Sequence, residues 1–354
     1  MIRRCLLSLF VVCAALLGAC TPKRTPLVVY AAGSLIVPFS ELELAFEAQH
    51  PEIDVLSEFH GSIQVMRHVT DLHEEIDVVA TADRALIPML MYANAPDTGS
   101  EPYATWNIGM AGNRMAIAYT PNSKYASEIS QDNWWQVLAR EDVRVGLSDP
   151  RFDAVGYRGL MVLAMAEDHY EATGLYGDIL DGQFRTPIQR IDLDDRYIIR
   201  VPEVLETKEG SHIRMRGSSV ALISLLQAGE IDYAFEYESV IRQHGFDYVE
   251  LPPELNMGEP DMEDAYGRAT VVLDFQRFAT VKPEFHGEQI AYGITIPSNA
   301  PHPEAAALYL EFLFSEEGQE IMAQNHHPLH VPARVDAPQN LPAELALPLD
   351  RPSS

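Results

Sequence analysis

The chain has 354 residues, of which 47% are hydrophobic, with 25 basic against 52 acidic side chains and a formal net charge of −27. That is enough chain for one or two sizeable cores, and the charge argues against nucleic acid as a partner, because phosphate binding needs basic patches. All the cysteines (Cys5, Cys13 and Cys20) lie near the amino terminus, so the remainder has no disulfide, no thiol nucleophile and no thiolate metal site, and its core must hold it. An anion site in so acidic a chain has to be made locally, from dipoles and short hydrogen bonds.

Residues 1–20 combine basic Arg3 and Arg4 with an apolar run from Cys5 to Leu17 and the small-residue end Leu17-Gly18-Ala19-Cys20. This is the layout of a secretory signal peptide, and the run is short for a membrane span of ~20 residues. The last four residues resemble the bacterial lipoprotein signal. That resemblance implies cleavage before Cys20, a lipid anchor on Cys20 and an extracytoplasmic, membrane-tethered protein, with Thr21 to Pro26 as the tether.

The stretch Leu27-Val28-Val29-Tyr30-Ala31 reads as a buried strand. It runs through the small-residue turn Ala32-Gly33-Ser34 into a helix whose Leu35, Phe39, Leu42 and Phe46 form one apolar stripe. Ser34 sits at the helix start, where a hydroxyl and free backbone N–H groups converge on one spot and suit an anion. An ordinary helix cap is the plain alternative, but the pattern recurs. Ile53-Asp54-Val55 leads through Phe59-His60-Gly61-Ser62 into a second helical stripe, Val65, Val69 and Leu72. Two such units place two serine hydroxyls, Ser34 and Ser62, at the carboxyl edge of a parallel sheet.

Glu75 to Asp83 is a third unit of this kind, so an α/β fold with parallel strands is expected. Asn113 to Pro121 reads as a strand crossing into a second lobe, where Val143 to Leu147 and a helix from about Tyr157 restart the series. Trp134 and Trp135 are expected as core residues at the boundary. The second lobe holds the turn Ser148-Asp149-Pro150-Arg151-Phe152-Asp153-Ala154-Val155-Gly156-Tyr157-Arg158, the helix Ser219 to Ala228, and the strand Glu230 to Val240. An acidic residue at a turn is ordinarily solvated or capping, but Glu236 lies among Tyr233, Phe235 and Tyr237, where an unpaired carboxylate is costly. Ala269 to Phe275 and Gln289 to Pro297 read as the return to the first lobe. The expected plan is therefore a two-lobed fold with two mixed sheets: residues 27–119 and 272–335 form one lobe and 120–271 the other, with a cleft between them. Residues 336–354 are expected to be a loose tail.

Together these motifs resemble the substrate-binding proteins of ABC transporters, and among them the archaeal-type tungstate/molybdate-binding family. The carrying residues are Ala31 to Leu35, Gly61-Ser62, Asn113-Arg114 with Ala116 to Tyr119, Asp149-Pro150 with Asp153 and Gly156 to Arg158, Gly229 to Tyr237, and the segment Ala300 to Gln319. The resemblance implies an oxyanion held between the lobes by hydroxyl and N–H groups at Ser34 and Ser62, with N–H donors near Ser219. Carboxylates at Asp153 and Glu236 would complete a six-coordinate tungsten or molybdenum centre. It also implies a monomer that closes about crossing strands near Tyr119 and Phe275 and delivers its cargo to a membrane permease driven by an ATPase. The family turn commonly reads Asp-Pro-Cys-Gly-Tyr, whereas Ala154 stands here in the proline's place. Asp149 therefore stays a rival to Asp153, and Glu238 a rival to Glu236.

His326, His327 and His330 suggest a metal site by composition only. No phosphate loop, nucleophile elbow or His-Glu-x-x-His is present, so no motif supports an enzyme. The open alternatives are the same fold holding sulfate, phosphate or a ferric complex, and a secreted hydrolase using Asp153 and Glu236 as an acid/base pair.

Overall fold

The computed structural model describes residues 23–96, 101–274, 283–343, 345 and 347. The signal segment 1–20 with Cys20, and Phe275, lie outside the described residues.

Strand β1 (Thr25–Ala32) is buried along its second half and lies second from the edge of a six-stranded sheet. It pairs in parallel with β2 (Ile53–His60) over its whole length and with β3 (Val78–Thr81) on its other side. The helix α1 (Ile36–Gln49) follows β1, and α2 (Ser62–Thr70) follows β2. The predicted stripe holds: Leu35, Phe39, Leu42 and Phe46 are each 0% exposed, so each aromatic or leucine side chain stabilises by about 1.5–3 kcal/mol. Leu72 does not join the second stripe. It is 57% exposed, because α2 ends at Thr70 and the chain turns away after Asp71. Thr25 and Pro26, expected in the tether, already pair with Ile53 and Asp54.

Strands β4 (Ile108–Gly112) and β5 (Met115–Tyr119) are nearly contiguous in sequence but belong to different sheets. The chain thus leaves the first sheet at Asn113-Arg114, and the expected division at 119/120 falls on the far side of β5. The second sheet contains β5, β6 (Val145–Ser148), β9 (Ile213–Arg216), β10 (Tyr233–Tyr237) and β11 (Asp247–Glu250), in the order β11-β5-β10-β6-β9. Its three parallel strands β6, β9 and β10 end at a common edge. Trp134 is fully buried inside this lobe rather than at a boundary, edge-on to Phe235 at 6.0 Å.

A third, four-stranded sheet was not anticipated. It is formed by β7 (Gln189–Asp192), β8 (Tyr197–Val201), β12 (Ala269–Leu273) and β13 (Glu284–His286). The segment Ala269 to Leu273, expected to begin the return, pairs here with β8 and β13. The chain rejoins the first sheet only at β14 (Ala291–Thr295), followed by α6 (Pro303–Leu313), α7 (Glu316–Gln324) and β15 (Leu329–Val335). We label the intervening helices α3 (Ala154–His169), α4 (Val220–Gln227) and α5 (Glu238–Gln243). Helix α3 is buried from Ala154 through Ala166. It packs against the second sheet through Gly159, over Phe235, and the Tyr157 ring stacks on Phe285 of the third at 4.3 Å and 6°. A helix between two sheets has no solvent face over that stretch, which explains why Arg158 is its one charged residue before Glu167. The expected tail is partly docked, since Leu345 is buried and Asn340 donates to the Thr105 carbonyl.

Gly156 lies where the turn before α3 folds back on itself, and a Cβ there would sit 2.6 Å from both the Pro150 nitrogen and the Ser148 carbonyl oxygen. Gly156→Ala is expected to destabilise the chain by about 1–3 kcal/mol through overpacking against backbone that cannot yield, read as a lower urea midpoint.

Candidate functional site

The register of β1 on β2 ends with Ala32 opposite His60, so Gly33-Ser34 and Gly61-Ser62 leave adjacent strands side by side, about 4.8 Å apart. The second lobe presents its own carboxyl edge to them. The turn after β6 brings Asp153, the segment after β9 brings Ser218 and Ser219, and the end of β10 brings Glu236 and Tyr237. The two edges touch: the amides of Ile63 and Gln64 donate to the Phe152 carbonyl at 3.1 and 3.4 Å. These two helix-start donors, expected to be free for a ligand, are engaged by the opposite lobe. A Cβ at Gly61 would lie 2.3 Å from that carbonyl oxygen, and one at Gly33 would lie 3.1 Å from Val220 and 3.2 Å from the Ser218 hydroxyl. Both glycines therefore permit close approach of the lobes.

The serine hydroxyls have a fixed sense. Ser62 Oγ is fully buried and accepts from the Ala82 amide at 2.9 Å. Ser34 Oγ, 5% exposed, accepts from the Tyr292 hydroxyl at 2.8 Å. With one lone pair on each already taken, both protons are left to donate elsewhere, which is the polarity a bound anion requires.

Asp153 and Glu236 are brought together by Ser219. The Ser219 amide donates to Asp153 Oδ2 at 2.6 Å, and its hydroxyl donates to Glu236 Oε1 at 3.0 Å. Ser219 thus serves the carboxylates rather than offering its own N–H to a ligand. Asp153 occupies the N-cap position of α3, and its carboxylate makes its short hydrogen bond to the Ser219 amide rather than to the helix. Glu236 Oε1 also accepts from the Tyr237 amide at 2.8 Å, while the fully buried Oε2 has no partner. Burial is the main force on both groups. It raises Asp153 from the usual range and, with the Asp153 charge adding, raises Glu236 from 4.5 to about 8. The rivals are already neutralised. Asp149 is gripped by Arg151 at 2.5 Å, and Glu238 pairs with Arg242 at 2.7 Å.

Arg158 and Asp83, not singled out as site residues from the sequence, tie the lobes beside this pair. Arg158 is 1% exposed and donates to the Ala82 carbonyl at 2.7 Å, to the Tyr237 hydroxyl, and to Asp83 at 3.4 Å. Asp83 also accepts from the Tyr157 hydroxyl. Ala82, whose carbonyl Arg158 holds, is also the residue whose amide orients Ser62. Its signal in the sequence was an arginine inside an otherwise apolar helix. Of the histidines that suggested a metal site by composition only, His327 is buried in a hydrogen-bond network, and among the described residues no three His, Cys, Asp or Glu side chains are grouped to hold a metal ion. No helix of the described residues is long and apolar enough to cross a membrane.

Gly61→Ala is expected to weaken ligand binding at least tenfold while shifting the melting temperature by only a few degrees, because the new methyl blocks closure rather than folding. Glu236 sets a second expectation. The native chain keeps its proton up to about pH 8 while the unfolded chain releases it near 4.5. Stability from this group is full below 4.5 and is lost as pH rises toward 8, at up to about 1.4 kcal/mol per pH unit. Asp153, raised in the same direction, adds to the slope. In thermal melts of ligand-free protein between pH 5 and 8, Glu236→Gln should flatten that decline and melt higher than wild type at pH 8.

The family model for bacterial extracellular solute-binding proteins matches residues 27–326. The molybdate/tungstate-binding protein WtpA of Pyrococcus abyssi is 34% identical over 328 residues, which span 88% of this chain and 86% of that one. Among solved structures, the periplasmic molybdate-binding protein of Azotobacter vinelandii aligns over 86% of this chain and 99% of its own with a TM-score of 0.53 at 14% identity. The sulfate-binding protein SubI of Mycobacterium tuberculosis aligns over 86% of each chain with a TM-score of 0.55 at 15% identity. These two likenesses establish the two-lobed periplasmic-binding-protein fold. The chain belongs to the bacterial extracellular solute-binding protein family, whose members hold a solute rather than convert it.

Proposed function

We propose that this chain is the extracytoplasmic binding component of an ABC importer and that it carries tungstate or molybdate between its lobes. The observation that carries the reading is the pair Asp153 and Glu236, buried, sharing Ser219, and leaving Glu236 Oε2 unpartnered. Ser34 and Ser62 donate to oxo groups of the anion. Asp153 and Glu236 bind its metal, which expands from four to six oxygen ligands, as a hard, high-valent centre accepts.

Magnitudes separate this cargo from sulfate. Two unit charges 4 Å apart repel by about 4 kcal/mol at an effective dielectric near 20, whereas a hydroxyl donated to a charged oxygen returns about 1.5–3 kcal/mol. Sulfur in sulfate cannot take further ligands, so an ionised carboxylate only repels it, and Glu236 in its protonated form offers it a single hydrogen bond in place of a metal–oxygen bond. For tungsten or molybdenum the same oxygens become bonds, and the site selects by penalising the wrong anion. The acidic net charge then costs little, since affinity rests on contacts at close range.

The lobes follow the sheets: the six-stranded sheet is one, and the five-stranded sheet with the four-stranded one is the other. They hinge where the chain crosses at Asn113-Arg114 and between β13 and β14, and the Asp83, Tyr157 and Arg158 contacts latch the closed form that docks on the permease. The lipoprotein-like segment ending at Cys20 supports a lipid anchor, and the acting form is a monomer. The hydrolase alternative has no support from the family.

Isothermal titration of the chain from Thr21 onward with tungstate, molybdate and sulfate tests the reading. Submicromolar binding of the first two and none of sulfate is expected. Because Glu236 holds a proton near neutral pH in the free protein, tungstate binding at pH 7 should release up to about one proton, seen by repeating the titration in buffers of different ionisation enthalpy. Glu236→Gln should lower tungstate affinity at least a hundredfold, and X-ray absorption at the tungsten edge should change from a six- to a four-oxygen shell. Tight sulfate binding, or a four-oxygen shell in the wild type, would rule the carboxylates out as ligands.

A further inference from the structure

A chain of hydrogen bonds, buried at Ser34 and Tyr292 and half-buried at Asn113, runs from Ser34 to the crossing between the lobes. Tyr292, on β14 of the first sheet, is fully buried and donates its hydroxyl to Ser34 Oγ. That hydroxyl accepts from the side-chain amide of Asn113 at 3.0 Å. Asn113 is one of the two residues between β4 and β5, where the chain passes from one sheet to the other. The same amide nitrogen donates at 2.8 Å to the hydroxyl of Ser239, on α5 of the second lobe. Ser239 in turn faces His327 Nε2 at 3.1 Å.

The direction of every link is fixed. His327 Nδ1 lies 3.1 Å from the Asn325 carbonyl, an acceptor only, and 3.3 Å from the Gln243 amide nitrogen, which donates to that same carbonyl at the shorter distance of 2.8 Å, so Nδ1 carries the hydrogen and Nε2 accepts. Burial keeps the ring neutral, lowering it to about 4. Ser239 must then donate to His327 and accept from Asn113. The second hydrogen of the Asn113 amide goes to Tyr292, so Tyr292 donates to Ser34 and the Ser34 proton is left free. The Asn113 carbonyl oxygen is held by the Arg114 amide at 2.9 Å, which prevents the side-chain amide from turning over.

We propose that Asn113 is a positioning residue that ties the donor state of Ser34 to the angle between the lobes. Its amide spans Ser239 of one lobe and Tyr292 of the other, so both hydrogen bonds form together only when the lobes are closed. Opening breaks one of them, releases Tyr292, and lets the Ser34 hydroxyl turn back to it. A groove of about 540 Å³, bordered by Asn113, Arg114, Glu238, His326 and His330 on the outer side of the crossing, leaves room for this movement. The inference deepens the proposed function, because it assumes that Ser34 donates to the bound oxyanion.

The test is a double-mutant cycle with tungstate titration, together with small-angle scattering of the ligand-free proteins. Asn113→Asp keeps the shape but replaces the donor with acceptors, so Tyr292 and Ser239 turn toward it and Ser34 loses its orientation. Alone it should lower tungstate affinity about tenfold; in a Tyr292→Phe background, where the route to Ser34 is cut, it should cost no more than about twofold. Equal losses in both backgrounds, or an Asn113→Asp affinity within twofold of wild type, would overturn the proposal. Asn113→Ala should also enlarge the radius of gyration of the ligand-free protein toward the open form, whereas an unchanged radius would argue against a role in closure. If the wild type bound no tungstate, the oxyanion reading would fall, and the scattering result alone would decide whether Asn113 governs closure.

Discussion

Two carboxylates that share one serine and face no cation are the constraint around which the rest of the structure is arranged. Burying Asp153 and Glu236 is unfavourable for the protein without cargo: burial raises both groups, the Asp153 charge raises Glu236 further, and one oxygen of Glu236 is left without any partner. An unpartnered buried polar group costs about 1–3 kcal/mol. Such a cost persists where the surrounding fold over-determines the position, and here each carboxylate sits at the end of a parallel strand or the start of a fully buried helix. A cargo whose metal takes both oxygens as ligands turns that cost into affinity.

The remaining polar groups of the cleft divide the work by direction. Ala82 and Tyr292 occupy the acceptor sides of Ser62 and Ser34, which leaves both hydroxyls as donors. Arg158 supplies the positive charge that the lobe interface needs, but Asp83, Tyr237 and the Ala82 carbonyl consume its hydrogen bonds. The arginine therefore closes the lobes without neutralising the carboxylate pair, a separation that an arginine placed on Asp153 or Glu236 would abolish. The glycines before each serine complete the arrangement: only a residue without Cβ at position 61 lets the Phe152 backbone come so near, and Gly33 leaves room for the Val220 and Ser218 side chains.

Much of this was legible in the chain. Strand-turn-helix periodicity located β1, α1, β2 and α2, and repeated Gly-Ser turns pointed to a shared edge because parallel strands in register deliver their turns to the same place. Glu236 stood out because a carboxylate among aromatic residues needs a reason. Asp149 against Asp153 and Glu238 against Glu236 stayed open, since which acid an arginine neutralises depends on where Arg151 and Arg242 reach in space. The third sheet escaped notice because β7 is four residues long with no buried residue, and β8, although buried at alternate positions, is five residues long and reads Tyr-Ile-Ile-Arg-Val, without a polar residue at each outward position.

The sequence by itself determined the local elements, the small-residue turns and the residue types at the cleft, because periodicity, chain stiffness and burial preference act over a few residues. Only the tertiary structure decided that β4 and β5 part at Asn113, that Phe152 takes the first amides of α2, and that Ser219 joins Asp153 to Glu236. The two Ser219 hydrogen bonds link residues 17 and 66 apart in the chain, and Phe152 reaches back farther still. Their geometry follows from how sheets pack and lobes close, which no window of sequence encodes.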